Sequence, residues 1–236
     1  MKIGILALGR PTFDVQYAKE RLTESLNYLS STNHNIFGSC ELLLDEQDAL
    51  NEINKFKNED LDFIIIIQVT FTDSSTLLKI TSCLEKPIGI WAFPEPRQSG
   101  RLRLNAFCGL NLASHTLGLN NIPFSWIYEN PENIEETKFE ILINSNNSKR
   151  PEKILEIPSL GSKKAKSIKE KIHNFKIGKI GSHPDGFDTC KYDQKKLIGL
   201  CGIKVDEIEI DTFLNNSKKV KSEEIEPTLS KLKKTI

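Results

Sequence analysis

Short, almost wholly apolar segments that alternate with amphipathic segments constrain this sequence more than any other feature. Residues 2–8 and 61–68 are apolar at consecutive rather than alternating positions, which is typical of strands buried on both faces of a sheet. Each is followed by a loop and by a segment with helical spacing, near residues 14–29 and 74–84. This order favours right-handed βαβ units. We therefore predict an α/β fold with a Rossmann-like parallel sheet.

The same alternation continues along the chain. The further predicted elements of this region are strands at 41–44, 87–93 and 123–127 and helices near 47–57 and 102–117. Residues 128–150 are rich in Asn, Glu and Ser and poorly patterned, so we predict a loop there.

A second domain is predicted to begin after a lysine-rich helix near residues 161–175. We place an N-terminal Rossmann-like domain at residues 1–172 and the start of a second α/β domain at residues 173–236. Only two strands, 176–180 and 204–210, fit the second segment, whereas a sheet has about five strands on average. The sequence therefore predicts that the second domain is incomplete.

The charge balance argues against polyanionic partners. Lysine and arginine total 32, as do aspartate and glutamate, so the formal net charge is zero. No global field attracts nucleic acid or an anionic membrane. The longest apolar run, residues 63–67, is far shorter than the roughly 20 residues that span a bilayer. We predict a soluble, cytoplasmic protein that binds neither nucleic acid nor membrane.

The cysteines are scattered and never form a CxxC pair, which argues against a disulfide framework and a zinc knuckle. Buried, reduced thiols are the prediction, since free cysteine is commonly buried. The five positions are Cys40, Cys83, Cys108, Cys190 and Cys201.

Candidate binding residues follow the predicted strands. In an open parallel sheet, ligands bind outside the carboxyl ends of the strands. Arg10 follows the first strand, Gln68 and Phe71 lie at the end of the third, and Trp91 lies near the end of the fourth. Hydrogen-bonding groups beside flat apolar faces suit a polyhydroxylated or anionic small molecule. Two alternatives stay open, namely that Arg10 is a surface charge and that Trp91 is a core aromatic.

Several classes of site are disfavoured. The loop at residues 9–12 has a single glycine, and the chain contains neither GxGxxG nor GxxxxGK[ST], so dinucleotide or nucleoside triphosphate binding has little support. HExxH and GxSxG are also absent, so a complete hydrolase is not indicated. His115 is a lone histidine in a predicted helix, where a structural role is usual.

Taken together, five segments resemble the L-fucose isomerase-like family, which includes the L-arabinose isomerases. The order of these segments, which extend over nearly the whole chain, carries the resemblance. They are residues 9–14 (GRPTFD), 68–71 (QVTF), 91–96 (WAFPEP), 101–115 (RLRLNAFCGLNLASH) and 186–190 (GFDTC).

The resemblance implies a metal-dependent aldose-ketose sugar isomerase. Such enzymes use a divalent metal, typically manganese, to hold substrate oxygens while carboxylates move protons through an enediol. The family's metal ligands come from later regions to which nothing in this chain corresponds, so the resemblance implies substrate recognition without a catalytic metal site. A homo-oligomer or a C-terminal partner chain is then expected. The alternative is a non-catalytic sugar-binding or oligomerisation module.

Site residues also follow from the resemblance. In arabinose isomerases the N-terminal domain completes the pocket of a neighbouring subunit through positions that match Arg10, Phe71, Leu112 and His115. Arg10 and Leu112 both replace glutamine, so the sugar specificity of arabinose isomerases cannot be transferred. We hypothesise that Arg10 pairs with an anionic group on an acidic or sulfonated sugar.

Overall fold

A five-stranded parallel sheet forms the centre of the first part of the chain. It is seen in a computed structural model that describes residues 1–98, 100–144 and 162–233. The strands are β1 (Lys2–Leu8), β2 (Asn35–Gly38), β3 (Phe63–Gln68), β4 (Ile88–Ala92) and β5 (Phe124–Tyr128). All neighbours pair in parallel in the order β2-β1-β3-β4-β5, which confirms the predicted α/β fold with a Rossmann-like sheet.

Helices connect these strands and cover the sheet. They are α1 (Val15–Ser30), α2 (Glu46–Phe56), α3 (Ser74–Cys83), α4 (Ala106–Leu119) and α5 (Glu136–Ile143). Every residue of β3 and β4 is buried, as their uninterrupted apolar sequences predict.

Aspartates begin the first three helices. Asp14, Asp45 and Asp73 each occupy the N-cap position of α1, α2 and α3 and accept a backbone N–H from the first turn, at 3.0, 2.8 and 2.9 Å. Such a cap satisfies an N–H group that has no partner within the helix. Asp14 and Asp73 begin the helices that follow β1 and β3, so they bring carboxylates to the carboxyl edge of the sheet.

The predicted strand at residues 41–44 is wrong. The second strand is Asn35–Gly38, which pairs with β1 from Lys2 to Ile5. Leu43 forms only an isolated bridge with Leu8, although Leu42 and Leu43 are both buried. The apolar run therefore reflects burial of a connecting segment, which a strand pattern alone does not distinguish from a paired strand.

The predicted loop at 128–150 is also wrong over part of its length. A short 3-10 helix at Pro131–Asn133 and the helix α5 lie within it, and residues 145–150 fall outside the described residues. Phe139, Leu142 and Ile143 of α5 are buried against the sheet. The carbonyl of Leu142 accepts the hydroxyl of Ser125 in β5. Tertiary packing therefore stabilises a helix that is only eight residues long.

The chain divides into two compact units. The first comprises Met1–Ile154 with Asp185–Thr189, and the second comprises Leu155–Pro184 with Cys190–Ile236. Helix α6 (Ser162–Ile172) belongs to the second unit, although it lies within the predicted first domain at residues 1–172. The domain boundary after residue 172 stays a prediction.

The second unit contains a two-stranded parallel sheet of β6 (Lys176–Ile180) and β7 (Lys204–Ile208). Its other helices are α7 (Gln194–Cys201), α8 (Ile210–Ser217) and α9 (Ser222–Lys233), none of which has a buried residue. Large apolar side chains are consequently exposed, among them Leu200 at 69%. Two strands provide too little surface to bury an apolar core.

The predicted burial of the cysteines is wrong. All five thiols are free, and Cys40, Cys83, Cys108 and Cys190 are exposed, while Cys201 is intermediate. Cys83 and Cys108 lie on the outer sides of α3 and α4, where the helical pattern assigns them no place in the core. In the described parts of the chain, no helix is long and apolar enough to cross a membrane.

The close packing of β1 against its neighbours gives a stability prediction. A Cβ atom at Gly4 would lie 2.7 Å from Leu61 Cδ1 and 2.8 Å from Phe56 Cε2, in the buried core. We expect Gly4→Ala to lower the free energy of unfolding by about 1 to 3 kcal/mol, measured by urea denaturation followed by circular dichroism.

Gly118→Ala in α4 is the matched control. A Cβ there meets nothing within 4 Å, so this variant should gain about 0.5 to 1 kcal/mol from its higher helix propensity. Equal effects of the two substitutions would contradict the packing described for β1.

Candidate functional site

A cleft lies at the point where the connections of the sheet diverge. The strands β1 and β3 are neighbours, but the chain leaves β1 toward β2 on one side and leaves β3 toward β4 on the other. Ligands of open α/β sheets bind at such a switch point, outside the carboxyl ends of the strands. Here the cleft has a volume of about 470 Å³. Its lining residues are Leu8, Gly9, Arg10, Pro11, Thr12, Leu43, Leu44, Asp45, Glu46, Thr72, Asp73, Ser75 and Thr76.

Arg10 lies on the wall of this cleft, as its position after β1 predicts. Its backbone N–H donates to Thr70 Oγ1 at 2.8 Å, which ties the loop after β1 to the loop after β3. The side chain is 35% exposed, and one terminal nitrogen of its guanidinium forms an ion pair with Asp73. Arg10 is therefore neither a free surface charge nor a fully available anion-binding group.

Sequence reasoning did not select Asp73, the partner of Arg10. Its carboxylate also accepts the Ser75 backbone N–H at 2.9 Å and the Ser75 hydroxyl, and its side chain is 16% exposed. The available signal was the position of an aspartate directly before a helical pattern, which marks an N-cap. That signal gives no indication of an ion pair with a residue 63 positions earlier.

The polar groups of the cleft have both signs of charge. Asp45, Glu46 and Asp73 supply carboxylates, Arg10 supplies a guanidinium, and Lys79 forms an ion pair with Glu46. The N-termini of α2 and α3 add positive potential, while Thr12, Thr72, Ser75 and Thr76 add hydroxyls. Such a mixture of donors and acceptors suits a ligand with many hydroxyl groups.

Gln68 and Phe71 lie near the same edge of the sheet. Gln68 is 2% exposed, and its amide nitrogen donates to the Thr70 carbonyl at 2.7 Å and to Thr72 Oγ1 at 2.8 Å. It thus holds the loop whose Thr72 lines the cleft. Phe71 is half-buried between Phe13 and Phe187, with ring centroids 6.3 and 5.4 Å away.

Trp91 and His115 do not line the cleft that contains Arg10. Trp91 is fully buried and packs against the rings of Tyr28 and Phe93, while its indole N–H donates to the Glu129 carbonyl at 2.9 Å. These contacts favour the core-aromatic alternative.

His115 is exposed on α4, nine residues after the helix begins, which is about 13 Å along its axis. Of the five predicted site residues only Arg10 lines the cleft, and a ligand-binding role for any of them stays a prediction.

Glu95 organises the loop before α4, which explains why this helix begins at Ala106 rather than near residue 102. Its carboxylate accepts the backbone N–H groups of Arg103, Leu104 and Asn105. Asn105 occupies the N-cap position with a left-handed backbone and no cap bond of its own. Glu95 therefore satisfies backbone N–H groups at the start of α4, as an N-cap side chain does in other helices.

This loop also connects to the loop after β1. Arg103 Nε donates to Asp14 at 2.9 Å, and its guanidinium lies 3.8 Å from the centre of the Tyr17 ring. The Tyr17 backbone N–H and the Arg103 side chain, which both hydrogen-bond the carboxylate, lower the pKa of Asp14 below its ordinary value. The Phe71 N–H donates to the Leu104 carbonyl at 2.9 Å, so the loops after β1, β3 and β4 are tied together.

The described residues do not fit a metal site. No group of three His, Cys, Asp or Glu side chains within them is placed so that it could hold an ion.

The role of Glu95 can be tested by amide hydrogen exchange. We expect Glu95→Ala to increase exchange at Arg103, Leu104 and Asn105 at least tenfold, since three backbone donors lose a charged acceptor worth about 1 to 3 kcal/mol. Glu85→Ala, which removes an exposed carboxylate just before β4, is the control and should leave these amides unchanged. Unchanged protection in the Glu95 variant would show that the loop is held by other contacts.

Comparison with known proteins identifies the family. Residues 4–147 match the family model described as fucose/sulfoquinovose isomerase, N-terminal domain. The chain is 23% identical over 217 residues to a sulfoquinovose isomerase of Priestia megaterium, covering 92% of this chain and 44% of that protein. It is 25% identical over 232 residues to that of Alkalicoccus urumqiensis, covering 98% and 47%. The chain thus spans under half the length of these relatives, and it belongs to the fucose/sulfoquinovose isomerase N-terminal domain family.

Proposed function

We propose that the cleft between the ends of β1 and β3 binds the substrate of a sugar isomerase, and that Arg10 contacts an anionic group on that sugar. The observation that carries this proposal is the position of Arg10 on the wall of a 470 Å³ cleft at the switch point of the sheet. Membership of the family supports a sugar as the ligand, and the cleft is the cavity in which we propose that it binds.

The chemistry of the cleft supports a sugar that carries a negative charge. A guanidinium has five N–H donors in a planar fork that matches anionic oxygens, and Asp73 pairs with one terminal nitrogen of Arg10. A guanidinium has more donors than this one ion pair uses, so Arg10 can also hydrogen-bond a second anion. The hydroxyls of Thr12, Thr72 and Thr76 suit the hydroxyl groups of the ring.

The relatives narrow the class of sugar. They are sulfoquinovose isomerases, whose name denotes a sulfonated sugar. By resemblance, the arabinose isomerases have glutamine where this chain has Arg10. Replacement of a neutral amide by a guanidinium agrees with replacement of a neutral sugar by a sulfonated one. We therefore propose sulfoquinovose or a similar anionic aldose as the ligand.

The isomerisation itself is assigned to the complete enzyme. We propose that this chain recognises the sugar, and that the groups that transfer protons and hold the manganese implied by the resemblance come from polypeptide outside the described residues. Gln68 supports the cleft by fixing the loop at Thr70 and Thr72. It stays a prediction that Phe71, Trp91 and His115 contact the sugar. The homo-oligomer or C-terminal partner chain and the cytoplasmic location also stay predictions.

Isothermal titration calorimetry with a matched pair of sugars tests the proposal. Sulfoquinovose and quinovose differ in the sulfonate, so the difference in their affinities isolates the charged contact. We expect Arg10→Ala to raise the Kd for sulfoquinovose about 10-fold to 100-fold, the usual size for loss of a charged hydrogen bond, and to change that for quinovose little.

Arg97→Ala is the control, because it removes an exposed arginine from the loop after β4 that does not line the cleft. It should bind both sugars as the unchanged chain does. An equal change for the two sugars in the Arg10 variant, or no change in either, would refute the role of Arg10.

A further inference from the structure

Arg10 already has an anionic partner within the cleft. The ion pair joins one of its terminal guanidinium nitrogens to a carboxylate oxygen of Asp73, and both side chains line the same cavity. An anionic ligand that approaches Arg10 therefore meets a carboxylate of the protein beside it. Two negative charges that are close together repel each other, so Asp73 opposes the binding of the anionic ligand that Arg10 attracts.

Contacts with neighbouring residues position the Asp73 carboxylate in the cleft. Its carboxylate is held by the backbone N–H of Ser75 at 2.9 Å and by the Ser75 hydroxyl. Gly186 also packs closely against Asp73. A Cβ atom added at Gly186 would lie 2.9 Å from Asp73 Cβ and 3.1 Å from Asp73 Oδ1. The Gly186 carbonyl is itself fixed by the Ser74 N–H and hydroxyl, at 3.2 and 2.6 Å. These contacts place the carboxylate beside Arg10.

We propose that Asp73 is a specificity-determining residue of the cleft, an internal counter-ion that competes with the anionic group of the sugar for Arg10. This inference rests on the proposed function of the same site. Asp73 lowers the affinity for every anion, so a small anion that brings no sugar contacts binds more weakly still. A sugar that is both anionic and rich in hydroxyls gains enough from the rest of the cleft to bind.

The charge of Asp73 can be removed without loss of its structural role. Asparagine caps helix N-termini about as well as aspartate, so Asp73→Asn should keep α3 intact while it removes the negative charge. Asp14→Asn is the matched control. Asp14 is likewise an N-cap aspartate that pairs with an arginine, Arg103, but it does not line the cleft.

Calorimetric titration of sulfoquinovose and quinovose into these variants tests the proposal. We expect Asp73→Asn to lower the Kd for sulfoquinovose about fivefold, the effect of one unit charge near 4 Å in a water-like dielectric. The Kd for quinovose should not change, and Asp14→Asn should bind both sugars as the unchanged chain does. The gain should shrink as salt is raised from 20 to about 500 mM, because screening weakens a charge effect but not a packing effect.

Sulfoquinovose binding that depends on Arg10 but is unchanged or weakened by Asp73→Asn would overturn this inference and leave the proposed function standing. Absence of binding in both the unchanged chain and Asp73→Asn would overturn both. Binding that appears only in Asp73→Asn would support the inference in its strongest form.

Discussion

The parallel pairing of β1 with β3 is the constraint on which the cleft depends. The two strands pair from Ile3 with Phe63 to Leu8 with Gln68, so their loops leave the sheet at the same level. Because the chain then turns toward opposite edges of the sheet, the loops diverge and leave a cavity between them. A register shift of one residue would exchange the faces of the strand and separate Arg10 from Thr70.

The residues that begin the helices also supply the charge at the sheet edge. Asp14 and Asp73 cap α1 and α3, and the same carboxylates pair with Arg103 and Arg10. A helix N-terminus is stabilised by negative charge, and an arginine nearby then gains a fixed partner. Asp73 thus belongs both to the fold and to the candidate site, while Asp14 has the matching structural role outside the cleft. Each aspartate gives its arginine a partner at this edge of the sheet.

Local patterns in the sequence account for most of the sheet and for part of the site. The uninterrupted apolar residues of β1, β3 and β4 indicate buried parallel strands, and the position of Arg10 after β1 places it at the carboxyl edge. The segment at 41–44 has the same apolar character but is a buried connection, because burial and strand pairing leave the same local pattern.

Long-range contacts account for what the sequence did not reveal. The roles of Asp73 and Glu95 depend on partners that the fold brings near. Glu95 lies in the segment 91–96 that carries the family resemblance, but nothing in the local sequence indicates its partners. Helix α5 was missed because its eight residues are polar on one side and are held by packing against Ser125 and Gly89. Trp91 lies near the carboxyl end of a strand, where ligand-binding residues are expected, but its ring faces the core and packs against Tyr28 and Phe93.

The most direct test of the account is to map where a sulfonated sugar binds. Amide chemical shifts of the ¹⁵N-labelled chain, recorded during titration with sulfoquinovose, report the location without any need for turnover. We predict that the largest changes occur at residues 9–12, 43–46 and 72–76, which surround the cleft. Changes confined to the second unit, or to the crevice between Tyr28 and Glu140, would contradict a sugar site at the junction of β1 and β3.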